Sequence, residues 1–270
     1  MDETLILRLF DDERRRLNDS DVTLSSTRYV VRAIGAHESW AGIVYYCFPA
    51  EESESVIDGE ISFFENLGRE FEWKVYSHDQ PQDLLAELRR RGFKIGEEEA
   101  LMIRELRELP ISLTAAAASG ITVATVTNAQ GVNDFLAVEA ALWPASEKMR
   151  DWLLTILKDP AQQDLAFVAY EDQIPIGCGR VSVRRECRFA GLWGGAVLPA
   201  FRGKGVYRAL LAARINHVSK FDSVQYLRVD ALPASRPILE KYGFQRVGST
   251  WPAEWAPRRE KEKVRSKKEE

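Results

Sequence analysis

Gly203 and Gly205 alternate with the cations Arg202 and Lys204 in the run Gly194-Gly195-Ala196-Val197-Leu198-Pro199-Ala200-Phe201-Arg202-Gly203-Lys204-Gly205-Val206-Tyr207, which passes from an apolar strand-like stretch through a turn into a helix-like one. The first amides of a helix lack intrahelical acceptors and carry a partial positive charge, so such a turn suits a phosphate. Glycine lets the main chain approach a ligand with no Cβ between them, and the two cations add charge. The spacing is neither a Walker loop nor Gly-x-Gly-x-x-Gly, and an ordinary basic helix start competes with the phosphate reading.

The elements that must position this turn follow from hydrophobic periodicity. Residues 121–127 read as a strand, 132–142 and 147–157 as helices, and 164–170, 173–184 and 187–197 as three strands. A helix follows at 205–219, with Leu211, Ile215 and Val218 on one face, then a strand at 226–231, a short helix at 235–242 and a strand at 244–248. The order is β-α-α-β-β-β-α-β-α-β. Upstream, strands are predicted at 27–32, 43–48, 71–77 and 100–104, with helices at 51–67 and 81–91. The small-residue stretch PISLTAAAASG reads as a linker. The expected organisation is a first domain over 1–109, a linker over 110–120, a second domain over 121–252 and a charged tail without fixed structure over 253–270. Leu88…Gly92-Phe93 and Leu239…Gly243-Phe244 echo each other across the linker, which suggests two related domains; any helix ending in glycine before a strand would give the same echo.

Val197-x-Pro199-x-x-Arg202-Gly203-Lys204-Gly205 resembles the acetyl-CoA signature of the GNAT N-acetyltransferase superfamily. The element order and Ser235-Arg236-Pro237-Ile238-Leu239-Glu240-Lys241-Tyr242-Gly243-Phe244 are similar to that family too, and the resemblance spans about residues 120–250. The first half has no such loop and looks like a degenerate copy. The fold this implies is of the α+β or α/β class: two GNAT-like domains in tandem, each a mixed, mostly antiparallel sheet flanked by helices.

The resemblance further implies that main-chain groups of Gly195, Ala196 and Val197 meet the pantetheine arm of acetyl-CoA, with the Gly195 amide nearest the thioester carbonyl. The amides of Arg202, Gly203, Lys204, Gly205, Val206 and Tyr207 would hold the pyrophosphate. Tyr207 stands where glycine or alanine is usual, and either narrows the room beside the cradle or packs in the core. The Ser235 hydroxyl would approach the CoA arm or cap a helix. The family's tyrosine general acid is replaced by Leu239, leaving Tyr242 or Tyr207 as substitutes, with core packing the alternative for each. Asp230 is the first candidate for the general base, with Glu139 and Glu171 behind it, and Trp143 and Trp193 are candidate cleft walls. The implied activity is transfer of an acetyl group to the primary amine of a small molecule, peptide or protein. A CoA-binding sensor or interaction module that has lost turnover is the alternative, on the strength of Leu239.

Composition bounds these readings. With 270 residues, 45% hydrophobic and 29% charged, the chain is globular in type, and no apolar run approaches the roughly 20 residues of a membrane span. The opening MDETLILRLFDDERRR is too polar for a signal peptide. Cys47, Cys178 and Cys187 form no C-x-x-C pair, which fits packing roles in a reducing, cytoplasmic compartment. His37, His78 and His217 lack ligand spacing, so no metal is expected. Residues 1–110 hold 14 basic and 24 acidic side chains, whereas 111–257 hold 16 and 13, which favours an anionic ligand in the second half. The last 13 residues, with 7 basic and 4 acidic groups, read as a solvated tail, and nucleic acid is not expected as a partner. An acidic first half is compatible with a basic protein partner, and a homodimer stays open.

Overall fold

The computed structural model describes residues 2–16, 22–35, 40–108, 120–144, 147–158, 163–184 and 186–257. Most of the expected linker, 110–119, and the tail from 258 onward lie outside the described residues. The chain divides into two compact units, one of residues 1–100 and 248–270, the other of residues 101–247. This differs from a linear division at 110–120. The boundaries fall inside β6 (Glu99–Glu105) and inside β12 (Gln245–Trp255), because a strand joins whichever sheet edge its two faces fit, whatever its distance along the chain.

The first unit opens with α1 (Glu3–Arg14), a helix the sequence reading did not assign, capped by the Asp2 carboxylate on the Leu5 amide. Strands β1 (Val22–Ser26), β2 (Val30–Gly35) and β3 (Ala41–Tyr46) form an antiparallel meander. The strand predicted at 27–32 is interrupted because the Thr27 hydroxyl accepts from the Tyr29 and Val30 amides and turns the chain between β1 and β2. Helix α2 (Ser53–Asn66) then crosses to β4 (Phe71–Tyr76), which runs parallel to β3. After α3 (Leu84–Arg90) and β5 (Lys94–Ile95), the outer half of β12 closes the unit antiparallel to β4, from Thr250 opposite Tyr76 to Trp255 opposite Phe71. Residues 253–255, assigned to the tail by sequence, therefore belong to a strand. Trp73 and Phe64 are fully buried, and Phe64 stacks on Phe71 at 4.1 Å.

The second unit repeats that topology. After β7 (Ile121–Thr125), α4 (Ala129–Ala140) and α5 (Glu147–Ile156), strands β8 (Asp164–Glu171), β9 (Ile174–Ser182) and β10 (Phe189–Val197) pair antiparallel. Helix α6 (Val206–Val218) crosses to β11 (Tyr226–Ala231), parallel to β10, and α7 (Arg236–Lys241) leads into β12. The element order read from the sequence is the one observed. The echo is geometric as well. Phe93 N donates to Leu88 O and Phe244 N to Leu239 O, both at 3.1 Å, and each helix ends at a glycine of positive φ, +85° at Gly92 and +77° at Gly243.

Candidate functional site

Strands β10 and β11 begin as partners and then part. Phe189, Ala190 and Gly191 pair with Tyr226, Leu227 and Arg228, after which β10 continues to Val197 without further register to β11. On its other side β10 bulges: Trp193 lies opposite Arg180 and Ala196 opposite Cys178, so three steps on β10 match two on β9, and Gly194 takes φ +54° to allow it. A bulge beside a strand separation withdraws main-chain groups from the ladder and presents them to a ligand.

The turn beyond β10 has the form expected of an anion cradle. Gly203 and Gly205 adopt φ +79° and +85°, and Gly205 is the N-cap of α6 with no side chain capping it. The first bond of the helix runs from Ala209 N to Gly205 O, so the amides just before it are left for an external acceptor. Arg202 donates to Val197 O at 3.2 Å, while Lys204 contacts Glu171 at 3.3 Å and lies over the Phe201 ring. Glu171, weighed as a base, is thus engaged with a cradle cation.

On the α6 side of the bulge stands Arg214, 1% exposed. Its Nε donates to Leu210 O at 3.0 Å, its guanidinium lies over the Tyr207 ring at 5.8 Å, and Nη2 has no partner among the described residues. Burial lowers its pKa from the usual arginine range, with Tyr207 opposing. Tyr207 packs against Gly195 and stacks on Tyr242 with ring centroids 6.4 Å apart. The Tyr242 hydroxyl is pushed up by burial, against the pull of Arg208, and its carbonyl accepts from Arg104. Leu239 is fully buried, so the family's tyrosine position is filled by core. Ser235 is the N-cap of α7, but its hydroxyl makes no capping bond; its carbonyl accepts from Ile238 and Leu239 instead.

On the opposite face lie the acidic candidates. Glu139, on α4, is half-buried; burial raises its pKa, with Arg180 opposing. Asp230 on β11 has a side chain only 2% exposed and forms an ion pair with Arg228 at 3.3 Å, and the Arg228 guanidinium covers the Trp193 ring at 4.7 Å. Trp193 is thereby held beside the strand separation, whereas Trp143 is exposed. Arg180 sits over Trp152 at 5.0 Å. The thiol of Cys178 is pushed up to about 12, chiefly by burial. Arg180 and Arg214 were not singled out in the sequence, although a signal existed: Arg214 occupies the same helical face as Leu211 and Val218, where a cation is out of pattern.

Two further expectations are altered by the fold. Cys47 is exposed rather than packed. His78, without ligand spacing in the sequence, comes together with Asp11 and Asp79 in the first unit, and there the Arg14 guanidinium already bonds both carboxylates. Among the described residues no helix is long and apolar enough to cross a membrane.

Residues 144–257 match the family profile of the acetyltransferase (GNAT) domain. No curated protein sequence matches the chain. Solved structures share the fold at low identity. A GCN5-related N-acetyltransferase from Kribbella flavida is 13% identical, covers 94% of this chain and 95% of its own, and superimposes with a TM-score of 0.67. One from Sphaerobacter thermophilus is 13% identical, with coverages of 93% and 91% and a TM-score of 0.57. A tandem GNAT protein from the clavulanic acid biosynthesis pathway is 13% identical, with coverages of 90% and 86% and a TM-score of 0.56. The separated strands, the bulge and the glycine turn all lie within the residues that match the acetyltransferase (GNAT) domain profile.

Proposed function

We propose that the second unit transfers an acetyl group from acetyl-CoA to an amine, with the cofactor's diphosphate on the amides of Gly203, Lys204, Gly205, Val206 and Tyr207; the Arg202 amide, expected to join them, donates to Pro199 O at 3.3 Å instead. The observation that carries this is the αL pair Gly203 and Gly205 at an uncapped helix start, directly after the bulged strand that parts from β11. Gly195, Ala196 and Val197 would supply main-chain groups to the pantetheine arm, the Gly195 amide polarising the thioester carbonyl. One such donor is worth roughly 3–4 kcal/mol where an oxyanion develops. Ser235, whose hydroxyl is free of capping, would face the same arm.

The amine must lose a proton before it attacks, since an alkyl ammonium has a pKa of about 10.4. We assign that proton to the Glu139 carboxylate. Burial makes it more basic than an exposed glutamate, whereas Asp230, the first candidate by sequence, is held by Arg228. Attack of the nitrogen on the thioester carbon places charge on the carbonyl oxygen. Collapse then breaks the carbon–sulfur bond; the Tyr242 hydroxyl, in place of the acid lost at Leu239, would give its proton to the departing thiolate, and the second proton of the attacking nitrogen, released as the amide forms, would pass through solvent to restore the tyrosine.

The first unit would be a degenerate copy. At its corresponding helix start the loop reads Pro49-Ala50-Glu51-Glu52-Ser53-Glu54, without glycine and with three carboxylates that repel an anion. Thiol release from acetyl-CoA measured across amines, aminoglycosides, amino acids and basic peptides tests the reading. Acetylated product with one acceptor class supports it. Tight acetyl-CoA binding with no product from any acceptor would favour the sensor alternative, which the apolar Leu239 motivates.

A further inference from the structure

Among the described residues Arg180 has no ion-pair partner. Its guanidinium packs against the bulge, with Nε 3.3 Å and Nη2 3.4 Å from where a Cβ on Gly194 would stand, and its flat face lies over Trp152 at 5.0 Å. Nε is buried with no acceptor, and among the described residues no carboxylate lies within ion-pair distance. Asp164, whose charge it feels, is bonded to Arg184 at 2.9 Å instead. A guanidinium stacked on an indole keeps its edge available for the fork-shaped hydrogen bonding that suits a carboxylate.

Glu139 stands in the complementary position. It is half-buried, it has no hydrogen-bonding or ion-pair partner among the described residues, and its strongest charged neighbour is Arg180, which it does not touch. Of the two, the Arg180 Nε is a buried donor without an acceptor among the described residues, a situation that folded proteins avoid unless a ligand completes it, and the Glu139 carboxylate is the opposite charge that it feels. A simple alkyl amine would answer only Glu139. A molecule carrying both an amine and a carboxylate would answer both at once.

We infer that the acceptor is a zwitterion, an amino acid or a close relative, whose amine faces Glu139 and whose carboxylate is forked by Arg180 against the Trp152 ring. This rests on the proposed acetyl transfer and narrows it to one class of amine. It also gives Arg180 a recognition role, set apart from the cradle and the proton-transfer groups.

The test compares each of the twenty proteinogenic amino acids, and several ω-amino acids, with the amine that lacks the carboxylate. The protein is the full chain, and acetyl-CoA and succinyl-CoA serve as alternative donors. The expected result is a kcat/KM for the best amino acid at least about 100-fold above that of its matched amine, with Arg180→Gln collapsing the ratio towards one and Arg180→Lys restoring part of it. Equal values for acid and amine in the native chain, or a ratio unchanged in Arg180→Gln, would overturn the inference. So would a preference for succinyl-CoA with plain amines, which would put the carboxylate on the acyl group. Should no acceptor be turned over, calorimetry of the same amino acids on the CoA complex decides. Binding to the native chain and not to Arg180→Gln supports the inference, and no binding refutes it. Acetyl-CoA binding, measured in parallel, reports separately on the cradle.

Discussion

Gly203 has φ +79° and no atom within 4 Å of where its Cβ would stand, so a side chain added there meets open space and disturbs only what approaches from outside. Gly203→Ala places an L-residue in the left-handed region at a cost of about 1 kcal/mol, borne by the free and the loaded protein alike, and so sets the baseline. Gly203→Glu carries the same strain and adds a negative charge. If the diphosphate, with about two charges, lies some 7 Å from that carboxylate, Coulomb's law at an effective dielectric of about 40–80 gives a repulsion of roughly 1–2.5 kcal/mol. Relative to Gly203→Ala, acetyl-CoA should then bind Gly203→Glu about 7- to 60-fold more weakly, and the gap should narrow in about 1 M salt, where the Debye length falls to about 3 Å. Calorimetry at two salt concentrations reads both effects. Equal affinities for the two variants at low salt would show that no anion sits on this turn, and the proposed chemistry would lose its donor site.

Other perturbations separate the remaining roles. Glu139→Gln should lower kcat by about 10²–10⁴-fold with acetyl-CoA affinity retained. Because burial raises the Glu139 pKa and a base acts only when ionised, native kcat/KM should fall as pH drops through a value above the ordinary glutamate figure of about 4.3, and the substitution should abolish that limb. Tyr242→Phe should reduce kcat by about 10-fold or more while leaving the KM for acetyl-CoA near native, and an unchanged kcat would remove Tyr242 from proton transfer. In the first unit, the Arg14 and Asp79 side chains are 3% and 1% exposed. Asp79→Asn removes one of the two carboxylates on a buried guanidinium, leaving Asp11 at 2.6 Å, and should cost about 1.5–3 kcal/mol in urea unfolding.

The order of elements in the second unit was legible because its strands and helices have clean periodicity and its turns carry glycine. The turn was legible for the same reason: the glycines at 203 and 205, between a strand and a helix, mark the two left-handed residues found there. What stayed hidden depends on contacts between residues far apart in sequence. Asp11 and His78 meet at 2.9 Å across 67 positions, and nothing in either neighbourhood announces the other. Residues 248–252 read as the end of the second domain and 253–255 as tail, yet the register of 250–255 with β4 ties them to the first unit. Asp230 read as an available carboxylate because Arg228, two residues away on the same strand, gave no hint that it would turn towards it. Nothing in the sequence singles out Arg180, since whether a strand cation finds a partner is decided by its folded surroundings.

Glycines on β10 and in the following turn look alike in sequence and serve opposite ends. Among the described residues nothing lies within 4 Å of where a Gly203 Cβ would stand, and its left-handed conformation favours glycine, which on the proposed reading leaves the turn open to the diphosphate. Gly195 is crowded: a Cβ would come within 3.0 Å of the Tyr207 ring and 3.4 Å of the Arg214 guanidinium, so glycine there serves the packing of α6 against the sheet. The same crowding ties Gly195 to function. On the proposed reading its amide meets the thioester, and a side chain at 195, crowded by Tyr207 and Arg214, would shift the strand that carries that amide. A Gly195→Ala variant that kept its fold would thus shift the carbonyl-polarising amide without touching the diphosphate turn. Loss of turnover with retained acetyl-CoA binding is the signature that distinguishes the two kinds of glycine.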